Sequence, residues 1–325
     1  MSNRLQQSDY HSIGGQRCLV LGGGGFLGTH LCNALIECGA DVQAFGRTRA
    51  YPSALDERVV WTTGELSNLT AIARAVEGQD VIFQLIGGSL PATSNRDPAA
   101  DLEASVLSMI RVLDLCRNER PRKFVFPSSG GTVYGVTTSI PISEDAPTNP
   151  ISAYGISKLT VEKYLALYHH LYGLDYQVLR IANPYGRYQS GVRRQGVVAA
   201  LITRALSGKP LEIWGTGTVI RDFIHVSDVV AAMITVLNYA GPHRVLNVGS
   251  GVGISVQEVA NDVESALGRG VLPRSYRESR AADVPVNVLD ISRITAGTGW
   301  RPRTSWREGL ADTVQWMDRE LAVWR

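Results

Sequence analysis

Arg17-Cys18-Leu19-Val20-Leu21-Gly22-Gly23-Gly24-Gly25-Phe26-Leu27-Gly28 decides the fold of this chain. Four apolar residues after Arg17 make a short buried strand. A run of glycines follows at once, then an apolar helical pattern that ends near Cys38-Gly39. Strand, glycine turn and helix in that order are the context a dinucleotide site requires. Gly22, Gly25 and Gly28 let the backbone turn sharply, approach a pyrophosphate and pack helix on strand. The helix start, through Phe26 and Leu27, turns N–H groups and a positive dipole end toward the anion. The spacing is G-x-x-G-x-x-G, not the commoner G-x-G-x-x-G.

Outward from this turn, strands and helices alternate. Asp41 to Phe45 reads as the second strand and ends in Gly46-Arg47-Thr48-Arg49. An NAD site usually places an acid there for the adenosine ribose, and none is present. Gly46 leaves room, and Arg47 or Arg49 either meets a 2′-phosphate, as in NADP, or is a solvated loop charge. Val59 to Thr62 leads into Gly64-Glu65-Leu66, where Glu65 and Leu66 would flank the adenine. Val81 to Ile86 is a further buried strand, and Asp101 to Cys116 is an amphipathic helix turning Leu102, Val106, Met109, Ile110 and Leu113 inward. The alternation predicts an α/β fold, a Rossmann-type doubly wound parallel sheet whose ligands gather beyond the strands' carboxyl ends. Residues 1–15 read as a polar tail and 16–182 as the dinucleotide-binding domain. Residues 183–325 read mainly as a smaller α/β substrate domain, with segments near 223–250 returning to the first.

Chemistry concentrates on three residues. Phe124-Val125-Phe126 delivers Ser128 and Ser129 to a strand's carboxyl end. Downstream, Tyr154 and Lys158 stand four apart, on one face of a helix. A phenol with an ordinary pKa near about 10 is a poor base at neutral pH, and a fixed ammonium beside it is expected to draw that value down. A serine hydroxyl on the same substrate oxygen would carry the proton in or out. Farther on, Leu211 to Trp214, Phe223 to Val226 and Val245 to Val248 read as strands. Ser227 reads as the cap of a helix through Leu237, and Ser255 with Glu258 and Ser305 with Glu308 fit capping boxes.

Composition sets the outer limits. At 325 residues, 44% hydrophobic and 19% charged, the chain can bury a large core. A net charge of +2 with dispersed basic residues argues against a nucleic-acid partner. No apolar run of about 18 residues suggests a membrane span, and the start lacks an apolar signal core. Cys18, Cys32, Cys38 and Cys116 have no metal-ligand spacing, so they read as reduced structural thiols and the protein as cytoplasmic, with no metal.

Taken together, Gly22 to Gly28 after a strand, Ser129, Tyr154-x-x-x-Lys158, Asn183-Pro184-Tyr185-Gly186 and Arg221-Asp222-Phe223-Ile224-His225-Val226-x-Asp228 resemble the extended short-chain dehydrogenase/reductases. Within them the chain is most similar to the UDP-glucose 4-epimerase-like nucleotide-sugar epimerases and dehydratases, over about Arg17 to Trp316. The resemblance implies a tightly bound NAD and a homodimer paired through the helices Asp101 to Cys116 and Tyr154 to Tyr172. It implies a C4 epimerase of a UDP-hexose, a UDP-N-acetylhexosamine or a dTDP-6-deoxyhexose, commonly supplying surface polysaccharide. In it, Tyr154 takes the C4 hydroxyl proton while hydride leaves for the nicotinamide, and the 4-keto sugar turns over before hydride returns. Lys158 lowers the tyrosine pKa and binds the nicotinamide ribose, and Ser129 holds the C4 oxygen. By the same resemblance Asn183 binds the phosphate region, Arg221 and Arg280 the pyrophosphate and Asp283 the nucleotide ribose, while Gln195 and Val197 pack the base.

Five departures accompany it. Counted back from Tyr134-Gly135 the family serine falls on Gly130, but counted from the strand it falls on Ser129, with Ser128 in reserve. Gln84 replaces a usual histidine and Ser105 a frequent helix asparagine. Gly46 removes the usual acid. Asn287 stands where a bulky tyrosine restricts some relatives, so an N-acetyl group or a 6-deoxy sugar would fit. The alternatives are an NADPH-dependent 4-keto-sugar reductase, motivated by Arg47, and a cofactor-binding scaffold without activity, against which intact Tyr154 and Lys158 argue. A 4,6-dehydratase would need an acid pair where Gly130-Gly131 stands.

Overall fold

A computed structural model describes residues 13–87, 94–189, 196–279 and 283–323. Its centre is a seven-stranded sheet, every strand parallel to its neighbours. In chain order the strands are β1 (Arg17–Leu21), β2 (Asp41–Gly46), β3 (Val60–Thr63), β4 (Val81–Gln84), β5 (Lys123–Ser129), β6 (Tyr176–Ile181) and, after an excursion into the smaller layer, β10 (Val245–Val248). Across the sheet they lie β10-β6-β5-β4-β1-β2-β3, so the order reverses between β1 and β4, where a doubly wound sheet opens its ligand crevice.

Strand alternation sorts the side chains into two cores. Cys18, Val20, Phe83 and Val125 point to one face, under α1 (Phe26–Glu37) and α7 (Val226–Thr235). Leu19, Leu21, Ile82, Phe124 and Phe126 point to the other, under α2 (Leu69–Val76), α4 (Ser108–Glu119) and α5 (Ala153–Tyr172). A short α3 (Pro98–Leu102) runs into α4 through one π-helical turn, Glu103–Leu107. That turn changes the helical phase. Val106, Met109 and Leu113 are buried as the periodicity predicts, but Leu102 faces outward, 46% exposed.

The smaller layer holds β9 (Ile220–His225), paired with β7 (Asn183–Tyr185), β11 (Gly253–Ser255) and β13 (Val286–Asn287), and a separate pair, β8 (Leu211–Trp214) with β12 (Arg274–Arg277). Its core is closed by α6 (Val197–Leu206), α8 (Val256–Ala266) and α10 (Trp306–Val323), with Leu310, Val314 and Met317 buried. A short α9 (Ser292–Thr298) precedes α10. Ser255 and Glu258 form the expected capping box, as do Ser305 and Glu308. Helix α7 corrects one expectation: its cap is His225, whose ring accepts from the Ser227 N–H, and it ends at Thr235 before a 3-10 turn. All four cysteines are buried thiols.

Candidate active site

Helix α5 brings the reactive side chains to the carboxyl end of β5. Its first turn is fixed from three sides: Ala153 N–H donates to Asn95 Oδ1 (2.8 Å), Tyr154 N–H to Ser94 Oγ (3.1 Å) and Gly155 N–H to Ser152 Oγ (3.2 Å). These bonds satisfy donors a helix start leaves open, and they orient Tyr154. Gly155 is required by packing, because a Cβ there would stand 2.8 Å from the Thr132 carbonyl oxygen. The helix thereby lies against the loop that follows Ser129. Lys158 Nζ donates to the Pro127 carbonyl at 2.8 Å and sits 4.6 Å from the Phe126 ring centroid and 5.7 Å from that of Tyr154.

The two serines separate cleanly. Ser128 Oγ is buried and donates to Glu162 Oε1 at 2.5 Å, while Glu162 also receives Arg180 at 2.7 Å. That hydroxyl is committed to a buried ion pair. Ser129, one residue on, is half-buried, and its hydroxyl lies 4.0 Å from where a Cβ on Gly131 would stand. The Asn183 carboxamide lies 3.8 Å from the same point and donates to the Asp222 carbonyl at 3.0 Å. Among the described residues nothing would clash with a Cβ at 131, so what its absence preserves is a gap between Ser129 and Asn183. Gly130 differs. A Cβ there would meet Leu289 Cδ1 at 2.5 Å and the Arg180 carbonyl at 3.0 Å, leaving no room for a serine or acid side chain.

Burial reverses one expectation from the sequence. The Tyr154 phenol is pushed up to about 12, chiefly by burial and further by the Asp101 carboxylate, and is not drawn down by Lys158. Lys158 is itself lowered to about 8 by burial, against the opposing charges of Glu162 and Asp101. In the chain alone, desolvation outweighs the attraction between an ammonium and a nascent phenolate.

The glycine turn has the shape a dinucleotide needs. Gly22 takes a φ of +92°, and a Cβ on Gly28 would stand 2.2 Å from the Gly22 carbonyl oxygen, so both glycines serve the turn itself. Gly25 is exposed, and a Cβ there would find nothing nearer than the Gly22 oxygen at 3.4 Å. No side chain caps α1, whose first-turn N–H groups include those of Phe26 and Leu27. A close-approaching pyrophosphate fits that open, donor-rich point. At the adenosine end Glu65 and Arg47 are exposed, while the Leu66 side chain is in the core and leaves only backbone to face an adenine.

Other expected substrate residues are engaged within the protein. Arg221 donates to the carbonyls of Ile220 (2.9 Å) and Val284 (2.6 Å) and pairs with Asp283 at 3.7 Å, so two groups expected on different parts of a ligand face each other. Val197 opens α6 and packs on the small core. Asn287 is 1% exposed and donates to the Gly130 carbonyl at 3.0 Å, which braces the loop after Ser129. Gln195 and Arg280 lie outside the described residues. Sequence reasoning missed Ser94, Asn95 and Glu162. Of these only Glu162, four residues after Lys158 on the same helix face, left a readable signal.

Residues 18–249 match the family model described as the NAD dependent epimerase/dehydratase family. The chain belongs to that family. Among curated relatives, a UDP-glucose 4-epimerase of Mycolicibacterium smegmatis is 33% identical over 92% of this chain and 97% of its own length. A dTDP-4-dehydro-6-deoxyglucose reductase of Escherichia coli is 28% identical over 91% and 96%. Among solved structures, a Thermotoga maritima UDP-glucose 4-epimerase with UDP-glucose superposes with a TM-score of 0.90 at 32% identity, covering 94% of this chain and all of that one. A Thermus thermophilus UDP-glucose 4-epimerase in complex with NAD gives 0.86 at 30% identity, covering 94% and 99%. The family is NAD-dependent, and the fold of the Thermus thermophilus enzyme is the one found here.

Proposed function

We propose that this protein interconverts the C4 configuration of a nucleotide hexose, a UDP-hexose or UDP-N-acetylhexosamine or a dTDP-6-deoxyhexose, with a dinucleotide bound in the glycine turn. The observation that carries the reading is the gap at Gly131, open between the Ser129 hydroxyl and the Asn183 carboxamide, on the loop against which α5 packs with Tyr154 and Lys158. When bound, the dinucleotide supplies the hydride acceptor and donor. Ser129 holds the sugar's C4 oxygen, Tyr154 takes and returns its proton, and Lys158 supplies positive charge beside the phenol. Asn183 and Arg221 face the phosphates, Asp283 the nucleotide ribose, and Gln195, Val197 and Arg280 complete the substrate set. Residues 16–182, with α7 and β10, hold the dinucleotide, and the remainder of 183–325 grips the sugar nucleotide.

The protein works as a homodimer. Ile156 (51%) and Leu171 (54%) on α5 join Leu102 as exposed apolar side chains on the helices expected to pair. Among the described residues no helix is long and apolar enough to cross a membrane, and four buried thiols suit the reducing cytoplasm.

A second reading, reduction of a 4-keto sugar nucleotide, draws on the Escherichia coli reductase at 28% identity. One experiment separates the two. Purified protein is incubated with UDP-glucose and UDP-N-acetylglucosamine without added cofactor, and in a parallel sample with a 4-keto sugar nucleotide and added NADPH or NADH. A C4 epimer formed with no net consumption of dinucleotide supports the epimerase. Turnover of a 4-keto sugar alone, with one NADPH or NADH oxidised per product, moves the assignment to reductase, and binding without turnover of either refutes both.

A further inference from the structure

The adenosine end of the cradle is built differently from an NAD site. β2 ends on Gly46, and β3 pairs beside it with Ala44 opposite Trp61. The Trp61 indole lies across the junction of β2 and the glycine turn. A Cβ on Gly46 would stand 3.4 Å from indole Cη2, and one on Gly24 would stand 2.9 Å from the same atom. Indole Nε1–H donates to Thr63 Oγ1 at 2.9 Å and fixes the ring.

The loop after β2 folds back onto the same spot. Ala50 N–H donates to the Gly24 carbonyl at 2.9 Å, and a Cβ on Gly24 would stand 2.9 Å from Arg49 Cα. This places the Arg49 guanidinium over Trp61, 5.7 Å from the ring centroid. Arg47 and Arg49 are both exposed, and neither forms an ion pair with a described residue. The end of β2 therefore offers two cations, an aromatic platform and no carboxylate of its own.

We propose that Arg49, held on the face of Trp61, reads the 2′-phosphate of NADP(H), so that the chain binds the phosphorylated dinucleotide at least as tightly as NAD(H). The inference rests on the reading of the glycine turn as a dinucleotide cradle. A ribose hydroxyl at this place meets no acceptor from β2, whereas a phosphate meets a guanidinium that stacking has already ordered, so little rotamer freedom is lost in the contact. Arg47, which the sequence offers equally, has no comparable support and adds charge at the rim. A family that is NAD-dependent in general thereby has in this chain a second acceptable cofactor, the one a reductase would consume.

The test is binding, read without turnover. Nucleotide carried by the purified protein is stripped, and NADH and NADPH are titrated by energy transfer from tryptophan to the dihydronicotinamide. NADPH binds at least as tightly as NADH. Arg49→Ala weakens NADPH by about 10- to 100-fold and NADH by less than about threefold, the difference expected for a lost charge-assisted contact. Gly46→Asp, which restores an acid, inverts the preference, and added salt weakens NADPH more than NADH. A wild type that prefers NADH by about tenfold or more (about 1.4 kcal/mol), or an Arg49→Ala that weakens both alike, overturns the inference and leaves the cradle intact. Binding of neither dinucleotide overturns the cradle reading and this inference with it.

Discussion

Replacing Tyr154 by Phe separates chemistry from folding. Its backbone N–H is held by Ser94, but its phenol hydroxyl has no hydrogen-bond partner among the described residues. The ring, which lies 5.7 Å from the Lys158 ammonium, is kept by phenylalanine. Removing the hydroxyl therefore costs less than the roughly 1 kcal/mol of a typical protein hydrogen bond. For a chain of this size that shifts the melting temperature by no more than about 2–4 °C. Catalysis loses its proton acceptor, a contribution of about 10²- to 10⁴-fold. The measurement is a pair: chromatographic separation of C4 epimers over time, and a thermal melt with dinucleotide titration on the same preparation. Turnover within about threefold of wild type would refute the role of Tyr154, since acid–base catalysis is worth far more. Collapse of the fold would refute the claim that the hydroxyl is unpartnered.

Glu162→Gln does the reverse: it strands the buried Arg180 charge, and chemical denaturation should report a loss of about 3–5 kcal/mol. Gly131→Val fills the gap between Ser129 and Asn183, so turnover is lost while dinucleotide titration is unchanged, and unchanged turnover would remove the gap from the mechanism. Lys158 should contribute stability that grows from about pH 8 to 10.5, because it sheds its proton near 8 when folded but at 10.5 when unfolded, while the buried thiols of Cys18, Cys32 and Cys116, raised from 9.0 to about 12, oppose it from about pH 9. Above pH 10 the raised Tyr154 phenol acts the other way, since the unfolded chain ionises first, and stability falls. The difference in denaturation midpoint between wild type and Lys158→Met isolates the Lys158 contribution and should move in favour of wild type as pH rises from about 8 to 10.5. Leu171→Glu places a charge on the exposed apolar face of α5 and should shift the protein from dimer to monomer in sedimentation while the melt changes little.

The architecture was legible where burial leaves a period in the sequence. β1 is five residues whose alternation feeds both cores, and glycines whose spacing closes a turn follow it directly, so strand, turn and helix could be named in order. The four-residue step from Tyr154 to Lys158 was legible for the same reason, since helix geometry converts it into one face. Leu102 was misplaced because one π-helical turn rotates everything before it, and nothing in its five residues announces that. Position in the chain did not decide between Ser128 and Ser129. What favours Ser129 is the Glu162–Arg180 pair, which engages the Ser128 hydroxyl and leaves that of Ser129 at the gap. Asn287 and the Arg221–Asp283 pair were invisible likewise, because their partners stand far off in the chain.

The proton affinities show why a motif alone is an incomplete statement of mechanism. Asp101 is buried, accepts the Ser157 hydroxyl at 2.6 Å, and raises the proton affinity of both Tyr154 and Lys158. For Lys158 this opposes burial and preserves charge. For Tyr154 it adds to burial and preserves neutrality. Burial holds Tyr154 as the phenol with Asp101 adding to it, and Glu162 followed by Asp101 support the Lys158 ammonium, the state in which the protein can meet a sugar hydroxyl without having already spent its base. Proton transfer from the sugar then requires the filled pocket to offset what Asp101 and desolvation impose. On the proposed mechanism Tyr154 becomes a base only where substrate is present, and a free phenolate that could be quenched by solvent does not accumulate.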